Sequence, residues 1–190
     1  MSTEFDKAIE LIDAANSKDP NIEISDGKEW PKELLYSHRM SDMIERYKPD
    51  ADDAMKLAMR AQHIERWKSL RSDYPMDRKG YFQWRVALYT YHADTAGALL
   101  AEAGYDDEFI ERVKLAVSKK SIKHNPDTQL LEDVTAMVFL EHYMQAFADK
   151  HPEYSEEKWL DIIRKTWKKM TDSGHQVVLD GNVTLPEPLV

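Results

Sequence analysis

Four residues with metal-ligand chemistry recur along this chain: His38, His63, His92 and Asp133, separated by 25, 29 and 41 positions. Each sits among apolar neighbours. His38 is one turn beyond Leu34, His63 one turn beyond Met59, His92 four after Leu88, and Asp133 four before Met137. A carboxylate on the apolar side of a helix is costly unless it is paired, neutralised or coordinated. A divalent ion held by His38, His63 and Asp133 would relieve that cost and leave a position open for water. The chain has no cysteine, so the ion would take nitrogen and oxygen donors, which suits Mn, Fe, Mg or Zn. The alternatives are packed, hydrogen-bonded histidines, and an ion pair between Asp133 and Arg85 or Lys119.

His63 opens onto a basic, aromatic stretch. From Arg60 to Arg85 there are seven bases and three acids, a local +4 in a chain of net charge −9. Arg66, Arg71 and Arg85 offer forked donors that match phosphate oxygens, and Lys119 and Lys123 add cations further on. Trp67, Tyr74, Tyr81 and Trp84 supply faces on which a base or sugar could stack. In this scheme His92 or Glu132 orders or deprotonates the attacking water, while the arginines balance charge on phosphorus. A solvated loop edge would carry the same arginines.

Seven helices must position these groups. Apolar spacing places them at about Thr3–Ala15, Pro31–Tyr47, Asp50–Trp67, Tyr81–Glu102, Asp106–Lys120, Thr128–Lys150 and, after a Ser155 cap, through Met170. Asp50 is the expected cap of the third helix and Gly104 the stop of the fourth. The stretch NSKDPNIEISDGKEW reads as a polar connector. The fold class is all-α, a single helical domain over residues 1–172 followed by an extended tail over 173–190. A chain of this length buries roughly 70% of the surface it exposes when unfolded. The N-terminal residues lack a basic leader and no run of ~18 apolar residues occurs, so a soluble, cytoplasmic protein is expected. The acidic balance argues against nucleic acid and anionic membranes as partners; a homodimer is compatible with it.

The order His38, His63, His92, Asp133 resembles the His-Asp (HD) superfamily of all-helical, metal-dependent phosphohydrolases. The stretches YHADTAGALLAEAGYDDEFIERVKLAV and LLEDVTAMVFLEH are similar to that superfamily's later segments. At the place where its dyad puts Asp, this chain has Ile64. More closely, YSHRMSDMI, AQHIERW, RSDYPM, GYFQWR and IIRKTWKKM resemble an uncharacterised family, domain of unknown function 4202, over nearly the whole chain. The HD resemblance implies hydrolysis of a small phosphorylated compound or nucleotide by metal-activated water. Two other functions fit the same scaffold: an anion-binding protein without turnover, and an iron-dependent oxygenase.

Overall fold

The computed structural model describes residues 3–122 and 124–186, and most of them are helical. The chain divides into two units, residues 1–121 and 122–190. Among the described residues, no helix is long and apolar enough to cross a membrane.

In the first unit, α1 (Thr3–Asn16) buries Phe5, Ala8 and Ile12, the three-and-four spacing of one helix face. The connector that follows is not coil. Ile22–Ser25 (β1) and Lys28–Pro31 (β2) pair antiparallel. Asp26 and Gly27 both have positive φ, 50° and 72°, as a type I′ hairpin turn requires, and Asp-Gly is a favoured pair there. Four-residue strands are too short to show persuasive alternation, so that dipeptide is the signal that marks them.

Helix α2 (Lys32–Tyr47) has no cap from Pro31. Buried Asp19 serves instead: its Oδ2 accepts from the Glu33 amide at 2.9 Å, and its Oδ1 from the Asn21 amide at 2.9 Å. This fixes the first turn of α2 and with it the position of Glu33. Helix α3 (Asp53–Ala61) is capped by Asp52 rather than Asp50; the Asp52 carboxylate accepts from the Met55 amide at 3.1 Å. Two 3-10 turns, Arg66–Lys68 and Arg71–Asp73, lead to α4 (Arg78–Ala103). That helix starts three residues ahead of the predicted Tyr81, because Asp77 accepts from the Gly80 amide at 2.7 Å. It stops at Gly104, whose φ of 110° is left-handed as predicted. Helix α5 (Asp107–Val117) lies against α4, and Gly97 lets Lys114 and Ile110 approach closely.

In the second unit, α6 (Pro126–Val138) is capped by Asn125 and runs into a π-helix, Phe139–Tyr143, then α7 (Met144–Asp149). The one long helix predicted here thus carries a π-helical interruption. Ser155 caps α8 (Glu156–Trp167) as predicted, accepting from the Lys158 amide at 3.3 Å. Residues Asp172–Leu179 form α9, where the sequence reads as extended tail.

Gly80, in the first turn of α4, packs tightly on the loop before it: a Cβ there would lie 2.0 Å from the Pro75 carbonyl oxygen. Gly80→Ala should therefore cost about 3 kcal/mol through overpacking. Urea denaturation of the variant measures it; a loss within 0.5 kcal/mol, about the noise of a surface change, would mean that the loop yields freely.

Candidate functional site

His63 sits just past α3, where the chain reverses direction. Ile64 is fully buried, and Glu65 adopts a left-handed conformation, φ 50°. Such a backbone is uncommon outside glycine and persists only when its surroundings hold it. Three contacts do so. The Glu65 amide donates to Asn16 Oδ1 at 3.0 Å, its Oε2 accepts from the Tyr91 hydroxyl at 2.9 Å, and its Oε1 pairs with Lys68 at 2.7 Å. The reversal brings Arg66 back under His63, with Nη1 3.2 Å from His63 Nε2.

Guanidinium has donors only, so His63 Nε2 accepts and the ring proton rests on Nδ1, which faces Glu33 Oε2 at 3.5 Å. Tyr36 stacks on the imidazole, centroids 4.0 Å apart, and its hydroxyl donates to Gln62 Oε1. His92, from α4, lies 5.8 Å from His63, ring to ring. Its Nδ1 is 2.8 Å from the Ile64 carbonyl oxygen. A carbonyl can only accept, so Nδ1 carries the proton and Nε2 presents a lone pair. That Nε2 is buried and without a partner, as is Gln62 Nε2. Leaving such atoms unpaired costs about 1–3 kcal/mol each.

The electrostatics are lopsided. Burial, then Arg66, Lys119, Arg85 and Lys32, hold the His63 pKa well below the usual 6.5. Burial, then His63, pushes His92 down to about 3. Glu33 is moved the other way: burial raises its pKa, while Arg66, Lys32 and His92 only partly restrain it. Arg66 has its own pKa lowered by burial and by Arg85. Among the described residues, neither Arg66 nor Arg85 has a carboxylate within ion-pair distance; Arg66 faces the Trp84 ring at 5.5 Å and Arg85 donates to the Tyr89 hydroxyl at 2.6 Å. The first unit thus brings His63, His92, Arg66, Arg85 and Lys119 near one another. It adds Glu33, Tyr36 and Gln62, which the sequence reading missed. Glu33 looks like an ordinary first-turn acid, and its buried setting depends on Asp19, fourteen residues away.

The other sequence candidates have different surroundings. His38 Nε2 accepts from Arg60 Nη2 at 2.9 Å, and Arg60 also grips Asp13 through Nε and Nη2 at 2.8 and 2.6 Å and Ser41 at 3.1 Å. A guanidinium on the lone pair leaves His38 no free nitrogen for a metal, since its other nitrogen must carry the proton. Asp133, in the second unit, accepts from the Thr171 amide at 2.8 Å and from the Thr171 hydroxyl. Gly174 lies so close that a Cβ would stand 3.0 Å from that carboxylate. Asp133 thereby anchors the N-terminus of α9, where a negative charge is favoured. Among the described residues no three His, Asp or Glu side chains group as a metal site. His38, His63 and Asp133 therefore do not fit a divalent ion, since other donors already hold them. Glu132 is buried on α6 of the second unit. Arg71 donates to the Tyr74 and Asp77 carbonyls at 3.1 and 3.2 Å, bracing its own loop. Lys123 lies outside the described residues.

Two outcomes follow. Because Arg60 is buried and joins α1, α2 and α3, Arg60→Ala should cost about 3 kcal/mol by leaving a partly buried carboxylate unpaired. His38→Ala, removing one acceptor, should cost about 1 kcal/mol; equal losses in urea melts would dissociate Arg60 from this role. The second concerns pH. His63 and His92 bind protons more weakly folded than unfolded, so their contribution is complete above about pH 6.5 and declines as pH falls, for His92 toward about 3. Glu33, with its pKa raised above 4.5, acts in the opposite sense, its contribution being lost as pH rises through the folded value. From about pH 7 to about pH 5.5, His92 alone should remove about 1 kcal/mol of stability, and His92→Phe should flatten the slope of melting temperature against pH.

No curated protein and no solved structure matches the chain. A family model does match, over residues 6–190, and by it the chain belongs to the family described as Domain of unknown function (DUF4202).

Proposed function

We propose that the first unit binds a small phosphorylated compound, with Arg66, Arg85 and Lys119 around its phosphate. The crowding of cations at His63 is the observation that supports this. Lys32 opens α2, Arg66 follows the reversal after α3, Arg85 comes from α4 and Lys119 lies just past α5; all four depress the His63 pKa. Against them stands Glu33, which burial pushes toward its neutral form. Arg66, Arg85 and Lys119 are partly buried, where like charges held together are costly, and an anion would relieve that cost. Phosphate suits forked guanidinium donors.

Hydrolysis of the bound compound is the second reading, and the lone pair of His92 favours it. Its pKa of about 3, however, makes it a weak base at neutral pH, far from the value at which general-base catalysis is efficient. Binding without turnover therefore stands ahead. The HD-like scaffold and its metal-activated water would strengthen the hydrolytic reading, but that chemistry needs ligands which here hold Arg60 and Thr171 instead. The iron-oxygenase reading needs the same ligands and is weakened for the same reason.

Calorimetric titration with orthophosphate and pyrophosphate tests the proposal. Arg66→Ala and Arg85→Gln should each weaken binding tenfold or more, about 1.4 kcal/mol. Arg71→Ala should leave affinity unchanged and lower the melting temperature by about 2–4 °C. Undiminished affinity in Arg66→Ala would overturn it, and phosphate release from a nucleotide panel with added manganese would move hydrolysis into first place.

A further inference from the structure

Resting on the phosphate-pocket reading, we infer that the ligand is a phosphorylated polyol or sugar, with a hydroxyl that donates to His92 Nε2. The hydrogen-bonding character of the buried polar atoms around His63 leads to this class. His92 is 2% exposed, and the Ile64 carbonyl fixes its proton on Nδ1, so its buried Nε2 can only accept. Gln62, equally buried, offers an unpartnered N–H. Glu33 adds a carboxyl that can donate when protonated and accept in either form. These atoms together ask for a group that donates and accepts at once.

A hydroxyl does both. A phosphate oxygen ionised at neutral pH only accepts, and so leaves His92 unanswered. An ammonium group would donate, but Lys32, Arg66, Arg85 and Lys119 already crowd the place with positive charge. An alkyl chain would answer neither atom. His63 is no competitor for the hydroxyl, because Arg66 occupies its accepting nitrogen. With Arg66 at His63 and His92 one ring further, phosphate and hydroxyl are separated by a short carbon chain. Sites built to pair a substrate hydroxyl discriminate strongly against the analogue that lacks it, because the buried partner is then left unpaired.

Calorimetry on the full chain with orthophosphate, ethyl phosphate and glycerol 3-phosphate tests this. Glycerol 3-phosphate should bind at least tenfold more tightly than ethyl phosphate. His92→Phe should erase that ratio. Equal affinity for the two esters in the unsubstituted protein overturns the inference and leaves the phosphate pocket standing; failure of all three to bind overturns the pocket as well. Nitrogen-15 spectra of the unsubstituted protein give a readout independent of the variant's folding. The His92 Nε2 resonance should move upfield with glycerol 3-phosphate and stay in place with ethyl phosphate; the same shift with both overturns the inference.

Discussion

The first unit depends on one constraint: the chain must reverse immediately after His63. A left-handed Glu65 makes that reversal, and α1 and α4 hold it, through Asn16 and Tyr91. Past it, Arg66 opens a 3-10 turn with its Nη1 3.2 Å from His63 Nε2. The neighbouring Ile64 has two roles within the same turn. Its side chain is fully buried, which secures the end of α3, and its carbonyl takes the His92 proton, which fixes the tautomer of the second histidine. Ile64 thus serves the turn twice, with an apolar side chain for packing and a main-chain oxygen for orientation.

From that turn the electrostatics follow. Two imidazoles face each other at 5.8 Å with cations on several sides, and two charged rings there would repel one another and their neighbours. Both stay neutral because burial and those cations act in the same direction. Neutral rings act as directed hydrogen-bonding groups, one nitrogen donating and the other accepting. Their directions are set by groups that cannot themselves change role, a guanidinium for His63 and a carbonyl for His92. Fixed donor and acceptor positions of this kind support the proposed binding reading over proton transfer.

Much of this was legible in the amino-acid order. The Ser155 cap and the Gly104 stop mark helix ends through local chemistry, and the apolar stripes of α1 and α5 follow from spacing alone. The basic run after His63 was visible as a charge reversal, and Arg66 and Arg85 do meet near it. Long-range partners were not legible. Nothing near Glu33 in sequence announces that Asp19 will draw its backbone into the interior. Nothing near His38 announces that Arg60, twenty-two residues on, will take its lone pair. The hairpin was hidden by its brevity, and α9 because the carboxylate that anchors its first turn, Asp133, lies 38 residues before Thr171.

Asp133 and His38 share a lesson about buried polar residues on apolar helix faces. Such a residue needs a partner, and a metal ion is one answer among several. Asp133 finds the amide and hydroxyl at the start of α9, so that its charge lies against the positive end of a helix and sets where that helix begins. His38 finds the guanidinium that already joins α1 to α3, and completes its donor set. In both cases the polar group sits where two or three helices must be held in register, and hydrogen bonds of defined direction do that more specifically than apolar contact. His92 differs in this respect. One nitrogen is committed to the fold and the other has no partner within it, and that unpaired atom is where the proposed ligand hydroxyl would donate.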